Sequence, residues 1–352
     1  MPPAERYAER PDVDTDRFAE AAAFVRERVA ENRGEYVEQF PTGESEDYVY
    51  GATTSPGWTG SFWTGMLWLA YGETGDDRYR IVAQRNRSVL ADHLRSGPRP
   101  PGTHDLGFLY SLSAVADHRL TGSETAADVA VEAADALADR FREAPGIVQA
   151  WGDITDPDED HWAGCRAIVD TMMNLPLLFW ASTHTGNERY REVATTHAHT
   201  TADHLVRDDG STFHTHTFDP ETGDPVAGET RQGYADDSTW SRGQAWAIYG
   251  FALAAGYTGE RRFREAAAAA ADYYLDRVEA DHVPRWDFDA PADAVRDSSA
   301  AAIAACGLAE LAGVLPDADP RCWAYGNAAL ATLDSLASDY TTEGMASNGV
   351  LA

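Results

Sequence analysis

The chain has 352 residues, and its acidic residues outnumber the basic ones by 58 to 28, which gives a formal net charge of −30. Nothing in the sequence resembles a basic footprint, so this charge argues against a nucleic-acid partner. No apolar run is long enough to cross a membrane, and the N-terminus lacks the apolar segment of a secretory signal. We therefore predict a cytoplasmic protein without membrane contact.

All 28 basic residues are arginine. An acid excess without lysine is typical of adaptation to molar salt, because at 1 M the Debye length falls to about 3 Å and carboxylates stop repelling at a distance. An ordinary acidic cytoplasmic protein is the alternative. The three cysteines (Cys165, Cys306 and Cys322) are odd in number and far apart, which favours free thiols over disulfides or a zinc site. No metal or cofactor is expected.

Internal repeats predict the organisation of the chain. Four segments share one plan, and they begin at Leu69, Val115, Trp180 and Leu253. Each contains the apolar end of a helix, a Thr-Gly pair and the polar start of a second helix. Glycine suits a left-handed helix C-cap, and the polar residue after it suits a new helix start. With a looser fifth copy from Leu308, the repeats predict five helical hairpins.

The two helices of each hairpin differ in composition, which predicts an inner and an outer layer. The first helices are rich in small and aromatic residues and should be buried, whereas the second helices are amphipathic with a charged face. We place the outer helices at 14–32, 76–95, 123–142, 187–207, 260–279 and 319–338. We place the inner helices at 59–73, 105–119, 170–184, 240–256 and 297–313. Short extended segments are expected around 146–151 and 211–219.

This alternation predicts an all-α fold, an (α/α)6 toroid of inner and outer helices that forms one domain over residues 1–352. Six outer helices are counted but only five inner ones. The last inner helix is therefore missing from the sequence. Either the chain is truncated at its C-terminus, which we expect, or the ring stays open on one side.

Polar and aromatic residues lie at the starts of consecutive inner helices, although a buried helix does not need them there. They are Trp58 before the first, Asp105 in the second, Asp170 before the third, and Arg242, Gln244 and Trp246 in the fourth. Each has a purely structural explanation: the aspartates could be N-caps, Arg242 could form an ion pair, and Trp246 could be core. Parallel inner helices would bring all of them to one mouth of the ring, and this coincidence favours a sugar-binding cavity.

Two aspartates facing one cavity are the equipment of glycosidic chemistry, in which one carboxyl is protonated and the other ionised. Close like charges and burial separate their pKa values, so one acid can donate a proton near neutral pH. Tryptophan provides flat faces for sugar rings, and Arg242, Gln232 and His214 can bind hydroxyls or a carboxylate. His214 and His216 lack a third metal ligand, and His197, on an outer helix, is expected to be solvated.

Several motifs together resemble the unsaturated glucuronyl hydrolases, family 88 of the glycoside hydrolases. They are GWTGSFWTGMLWLAYG, HDLGFLYS, IVDTMMNLPLLFWAS, FHTHTFDPETGDPV and QGYADDSTWSRGQAWAIYGFA, and they occur in family order from about Gly51 onward. The resemblance implies an enzyme that acts on oligosaccharides from polysaccharide lyases, which end in a 4,5-unsaturated uronic acid. An acid protonates C4, water adds at C5, and the hemiketal opens to release the sugar.

The resemblance also implies roles for individual residues. Asp170 matches the general acid and base, and Asp105 the second aspartate that tunes it. Positions that hold the unsaturated ring are matched by His214, Gln232, Arg242 and Trp246, and stacking positions by Trp58 and Trp151. The related unsaturated rhamnogalacturonyl hydrolases of family 105 and a sugar-binding toroid without catalysis are the alternatives. The second sugar, its linkage, its sulfation and the oligomeric state stay open.

Overall fold

The computed structural model describes residues 3–97, 101–153 and 165–352. A short helix at Pro3–Arg6 precedes the repeats. Six outer helices follow, and they span Thr15–Asn32, Asp77–Ser96, Glu124–Ala138, Glu188–His204, Arg261–Arg277 and Arg321–Asp339. Outer helices 2 to 6 alternate along the chain with five inner helices, so the predicted all-α order of elements is confirmed.

The inner helices are less regular than the outer ones. Inner helix 1 spans Gly60–Thr74, inner helix 4 Ser241–Thr258 and inner helix 5 Ser298–Val314. Inner helix 2 runs through Leu106–Tyr110, a π-helical turn at Ser111–Val115 and Ala116–Thr121. Inner helix 3 starts as a 3-10 helix, Val169–Met173, and continues as Leu175–Thr185. The predicted bounds differ from these by only a few residues.

Four joints between inner and outer helices repeat the same hydrogen bonds. At each joint a glycine adopts left-handed φ angles: +68° at Gly75, +72° at Gly122, +74° at Gly186 and +73° at Gly259. The preceding threonine donates its hydroxyl to the carbonyl four residues earlier and accepts the amide two residues later, as Thr185 does with Ala181 O and Asn187 N. The Thr-Gly pair therefore ends one helix and starts the next.

Within the described ranges, seven short strands supplement the helices: β1 Phe40–Glu46, β2 Val49–Thr53, β3 Phe141–Arg142, β4 Ile147–Val148, β5 Arg166–Ile168, β6 Thr215–Phe218 and β7 Pro225–Glu229. Strands β4 and β6 lie in the two predicted extended segments. The β1–β2 hairpin was not predicted, because its residues lack clear alternation of apolar and polar side chains. Strands β5, β6 and β7 form an antiparallel sheet in that order.

Each inner helix packs on the next one in the chain, from the first to the fifth. Outer helix 1 contacts outer helix 6, and Arg17 Nη1 lies 3.0 Å from Asp334 Oδ1 between them. One side of inner helix 1 stays open within the described residues, with Leu69 75% exposed and Phe62 37% exposed. The expectation of a truncated chain and the single-domain boundaries stay predictions.

One expectation about an outer helix was wrong. His197 is fully buried, because β4 packs against outer helix 4 and Val148 N donates to His197 Nδ1 at 3.0 Å. Burial lowers the pKa of His197 to about 3, so this histidine is neutral. Among the helices in the described ranges, none is both long and apolar enough to span a bilayer.

Candidate active site

The β5–β6–β7 sheet brings three segments of the site to one edge. Ile168 pairs with Thr215, and Thr215 pairs with Glu229. Because the strands are antiparallel, the end of β5, the start of β6 and the end of β7 share this edge. Asp170 follows β5, His214 precedes β6, and Arg231 follows β7. Val169 N donates to His214 O at 3.0 Å, which extends the pairing to the residue before Asp170.

A second set of backbone contacts positions Asp105. Thr103 forms a bridge with Trp151, and His104 N donates to Ala150 O at 2.9 Å. Ala150 N in turn donates to Arg166 O at 2.9 Å. The segments that precede Asp105 and Asp170 are therefore joined through residues 149–151.

The side chain of Arg140 stabilises this junction between the segments that precede Asp105 and Asp170. Its guanidinium is fully buried and donates to the carbonyls of Gln149, at 2.8 Å, and Gly152, and also to the carbonyl of Pro101. A planar guanidinium can bind several carbonyls at fixed angles, so it holds the two loops that flank Asp105 and Trp151.

Asp170 has the most perturbed carboxyl of the site. Burial raises its pKa to about 7, the negative charge of Asp105 also acts to raise it, and Arg242 opposes both. Asp170 Oδ1 is buried and has no hydrogen-bond partner within the described residues. Asp170 is therefore not an N-cap, because it lies inside the 3-10 helix and its side chain makes no capping hydrogen bond.

Asp105 occupies the N-cap position of inner helix 2, but its side chain makes no capping hydrogen bond. Instead, Thr103 donates its hydroxyl to Asp105 Oδ2 at 2.5 Å, and His104 Nε2 lies 3.3 Å from Asp105 Oδ1. The N-cap alternative fails here as well, since the carboxylate makes no bond to the helix amides and interacts electrostatically with Asp170.

His104 connects the two aspartate-bearing helices. It is fully buried, and burial lowers its pKa more than the adjacent Asp105 raises it, so the ring is neutral. Its Nδ1 lies 2.9 Å from the hydroxyl of Thr171, the residue after Asp170. With the proton on Nε2, the ring faces Asp105 as a donor and accepts from Thr171.

Arg242 supplies a positive charge to the site. Its guanidinium carbon lies 4.8 Å from the centre of the Trp240 ring, and its Nη1 contacts Ser299 Oγ at 3.1 Å and Asp297 Oδ2 at 3.5 Å. Arg242 therefore does form an ion pair, with Asp297 at the start of inner helix 5, as its purely structural explanation predicts. Its Nε, however, is buried without a hydrogen-bond partner within the described residues.

His214 is held as a neutral donor. Its Nδ1 accepts the amides of Arg231, at 3.0 Å, and Gln232, at 3.3 Å, so the ring proton lies on Nε2. Burial, Arg231 and Arg242 lower its pKa to about 3. The Gln232 side chain is exposed beside it.

Aromatic rings extend from the interior to the surface. Trp246 and Phe108 are buried with ring centres 5.2 Å apart, Phe108 and Trp58 are 5.5 Å apart, and Trp58 is 38% exposed. Trp246 thus contributes to the core, as the purely structural explanation of this residue predicts. Its indole nitrogen, however, is buried without a hydrogen-bond partner within the described ranges. Trp151 lies apart from this row, with its ring edge-on to His104 at 6.2 Å.

Three buried polar atoms in this region lack hydrogen-bond partners in the part of the chain that the structure describes. They are Asp170 Oδ1, Arg242 Nε and Trp246 Nε1. Buried polar groups are almost always satisfied in native proteins, so a cluster of unsatisfied atoms points to a bound polar molecule or water. No three His, Cys, Asp or Glu side chains come together as a metal site within the same ranges.

Gln244 corrects one sequence expectation. It lies in inner helix 4 but accepts from Thr212 Oγ1 and donates to the carbonyls of Gly210 and Ala270, at 2.7 and 2.9 Å. Its amide therefore ties the helix to the outer layer and does not face the cavity. Residues that sequence reasoning missed are Phe108, Thr171, Asn174 and Arg231. Phe108 and Arg231 adjoin motifs that were recognised, but their contacts are all long-range.

The sequence matches a known protein family and enzymes that belong to it. The sequence model of Glycosyl Hydrolase Family 88 matches residues 29–279. The chain is 43% identical over 313 residues to the unsaturated glucuronyl hydrolase of Bacillus sp. (strain GL1), a match that covers 88% of this chain and 82% of the relative. It is 40% identical over 341 residues to the unsaturated chondroitin disaccharide hydrolase of Streptococcus pyogenes serotype M1, covering 96% and 84%.

Solved structures agree with the sequence matches. The unsaturated glucuronyl hydrolase from Streptococcus agalactiae aligns with a TM-score of 0.92 and 35% identity, over 99% of this chain and 87% of that chain. The enzyme from Bacillus sp. GL1 aligns with a TM-score of 0.89 and 41% identity, over 94% and 87%. Sequence and fold together show that the chain is an enzyme and belongs to glycosyl hydrolase family 88.

Proposed function

We propose that this chain removes a 4,5-unsaturated uronic acid from the non-reducing end of oligosaccharides released by polysaccharide lyases. The relatives support this substrate class: one is named for chondroitin disaccharides, and a variant of the S. agalactiae enzyme is described in complex with dGlcA-GalNAc6S. The observation that carries the proposal is the carboxyl of Asp170, whose pKa of about 7 keeps it partly protonated at neutral pH.

The first step is proton transfer from Asp170 to C4 of the vinyl ether. The double bond then becomes a cation at C5, which the ring oxygen stabilises. A general acid works best when its pKa lies near the working pH, and Asp170 meets this condition. Asp105 contributes twice: its negative charge raises the pKa of Asp170, and it stabilises the positive charge that develops on the sugar.

In the second step water adds at C5. Asp170 is ionised after the first step, so its carboxylate accepts a proton from the attacking water and the acid form is restored. The hemiketal at C5 then opens, the glycosidic bond breaks, and the next sugar leaves. Neutral His104 holds Asp105 and, through Thr171, the backbone beside Asp170, so it is a positioning residue.

The uronate carboxylate needs a local positive field in a chain with a net charge of −30. We assign this role to Arg242 and to the Nε2 proton of His214, which are close enough for Arg242 to lower the pKa of His214. Trp246 and Gln232 complete the binding of the unsaturated ring. Trp58 and Trp151 provide faces on which sugar rings stack.

Loss of the ultraviolet absorbance of the C4=C5 bond, on addition of unsaturated chondroitin disaccharide, tests this function. The protein should remove the absorbance, and Asp170→Asn should abolish the removal, because an amide cannot donate the proton. Asp92→Asn, an exposed change on outer helix 2, is the matched control and should keep full activity. Full activity in Asp170→Asn would contradict the proposed role of Asp170.

We also propose that the protein acts in the cytoplasm, that it is adapted to high salt, and that residues 1–352 form one catalytic domain.

A further inference from the structure

Asp287 is a fully buried acidic residue that the proposed mechanism does not use. Its Oδ2 accepts the amide of Tyr234 at 2.9 Å and the hydroxyl of Ser238 at 2.7 Å, and its Oδ1 accepts the amide of Asp289 at 2.9 Å. A carboxylate is costly to bury unless donors reach both of its oxygens, and here they do. Two of these donors belong to the loop 230–240, which joins β7 to inner helix 4.

The backbone holds Asp287 beside the end of this loop. Asp287 forms an antiparallel bridge with Trp240, the last residue before inner helix 4, and Phe288 N donates to Thr239 O at 3.0 Å. Asp287 is therefore attached to the start of a helix of the ring, and its carboxylate reaches from there to Tyr234, in the middle of the loop.

The first residues of the same loop determine where His214 carries its proton. The amides of Arg231 and Gln232 donate to His214 Nδ1 at 3.0 and 3.3 Å, so the ring proton lies on Nε2. Gly233 follows these two residues and packs on the Asp287 carboxylate, since a Cβ added there would lie 3.1 Å from Oδ2. The loop thus contacts His214 on one side and Asp287 on the other.

We propose that Asp287 is a positioning residue, which holds the loop 230–240 so that its amides keep the proton of His214 on Nε2, where it binds the uronate carboxylate. This inference rests on the proposed function and adds a fully buried residue to it. Without Asp287, the loop amides can leave Nδ1, and the ring can carry its proton there. Nε2 would then present a lone pair to the uronate, and the charge-assisted hydrogen bond would be lost.

The effect should appear in KM. Asp287→Ala should raise KM for unsaturated chondroitin disaccharide by about tenfold, the usual loss for one charge-assisted hydrogen bond. The value of kcat should change much less, because His214 holds the uronate equally in the ground state and the transition state. Asp287→Asn keeps one acceptor oxygen and should restore part of the affinity.

Asp272→Ala is the matched control. It removes a partly buried carboxylate from outer helix 5, where Asp272 Oδ1 accepts the hydroxyl of Tyr325 at 2.8 Å. This variant should lower the stability of the protein, since it also loses a buried hydrogen bond, but it should leave KM unchanged.

NMR of the protein with isotope-labelled histidine locates the proton of His214 directly, at about pH 7, where this ring is neutral. The signal of His214 is identified by its absence from His214→Gln. The proton should stay on Nε2 in the parent protein and in Asp272→Ala, and move in part to Nδ1 in Asp287→Ala.

Calorimetry in the Asp170→Asn background measures Kd for the disaccharide, which is not consumed there. Asp287→Ala is compared with and without His214→Gln, as a double-mutant cycle. Asp287→Ala should weaken binding by about tenfold when His214 is present and have little further effect when it is absent.

A proton that remains on Nε2 in Asp287→Ala would overturn the proposal, and so would an equal loss of affinity with and without His214. If Asp287→Ala does not fold, Ser238→Ala, which removes one of the loop donors to the carboxylate, decides by the same measurements. If the protein hydrolyses no unsaturated disaccharide, the proposed function fails, while the position of the His214 proton still decides the role of Asp287.

Discussion

Asp170 lies where strand β5 passes into an inner helix, and its Oδ1 is buried without a hydrogen-bond donor among the described residues. Its pKa of about 7 has a consequence for catalysis, because only the protonated carboxyl can donate to C4. We expect kcat/KM to fall as the pH rises above about 7. His214, whose pKa is about 3, is neutral across this range and does not contribute to the fall.

The pH profile of kcat/KM for the protein and for Asp105→Asn checks this expectation. Removing the charge of Asp105 should move the fall to lower pH, since Asp105 is one cause of the raised pKa of Asp170. A profile that stays in the same place in the variant would show that the two carboxyls do not interact.

The same carboxyl should reduce the free energy of unfolding. Between the pKa of an unfolded aspartate, about 4, and the folded value of about 7, the folded state binds the additional proton. The free energy of unfolding therefore falls as the pH rises through this window, by about 1.4 kcal/mol for each pH unit. Asp170→Asn should be more stable than the parent protein at pH 8, and the difference should vanish near pH 4.

Urea unfolding of both proteins at the two pH values measures this difference. Comparison of the two proteins cancels the pH dependence of all other groups. An asparagine variant that is less stable at pH 8 would mean that the ionised carboxylate is well solvated, contrary to its buried Oδ1.

Among the secondary-structure elements, inner helices 2 and 3 make the contact that fixes the distance between the aspartates. A Cβ added at Gly107 would lie 2.2 Å from Asn174 Cα, so the two backbones approach too closely for any side chain. Asn174 Oδ1 also accepts the amide of Phe108 at 2.8 Å. Asp105 precedes this crossing in one helix and Asp170 precedes it in the other.

Gly107→Ala should therefore push the two helices apart, lower kcat and destabilise the protein by about 1–3 kcal/mol, the usual cost of overpacking. Gly65→Ala is the matched control in inner helix 1, where the new Cβ would lie 3.5 Å from Leu112 Cβ. The control should gain about 0.5–1 kcal/mol from better helix propensity. Thermal unfolding and the absorbance assay measure both effects, and similar behaviour of the two variants would contradict the proposed close contact.

For the whole molecule, the charge of −30 predicts a dependence on salt. Salt weakens the exposed Arg–carboxylate pairs, but it also screens repulsion among an excess of acidic groups. Repulsion should dominate, because 58 acidic residues face 28 basic ones. Raising KCl from about 0.1 M to about 2 M, which shortens the Debye length from about 10 Å to below 3 Å, should raise Tm and lower KM.

Calorimetric scans over a KCl series measure the change in Tm. Most of the rise should occur at the low end of the series, since screening saturates there. A Tm that falls steadily with salt would show that ion pairs outweigh repulsion, and the predicted salt adaptation would then be wrong.

The sequence by itself determined the order and kind of helices, because the Thr-Gly joints and the hydrophobic patterns act over a few neighbouring residues. It also indicated Asp105, Asp170 and Arg242 as members of one site, since they recur at equivalent points of the repeat. It did not reveal that Gln244 faces the outer layer or that His197 is buried, because the burial and contacts of a helix face depend on the segments that pack against it.

The family resemblance implied that Asp170 is the acid, but only the tertiary structure supplies the physical reason why it holds the proton. The pKa of Asp170 depends on burial and on Asp105, which is 65 residues away in the chain and approaches it through the crossing at Gly107. The contact of Arg231 with Trp151 likewise joins the end of a strand to a distant loop. Electrostatic free energies depend on distances in space and on exclusion of water, and neither can be read from the order of residues.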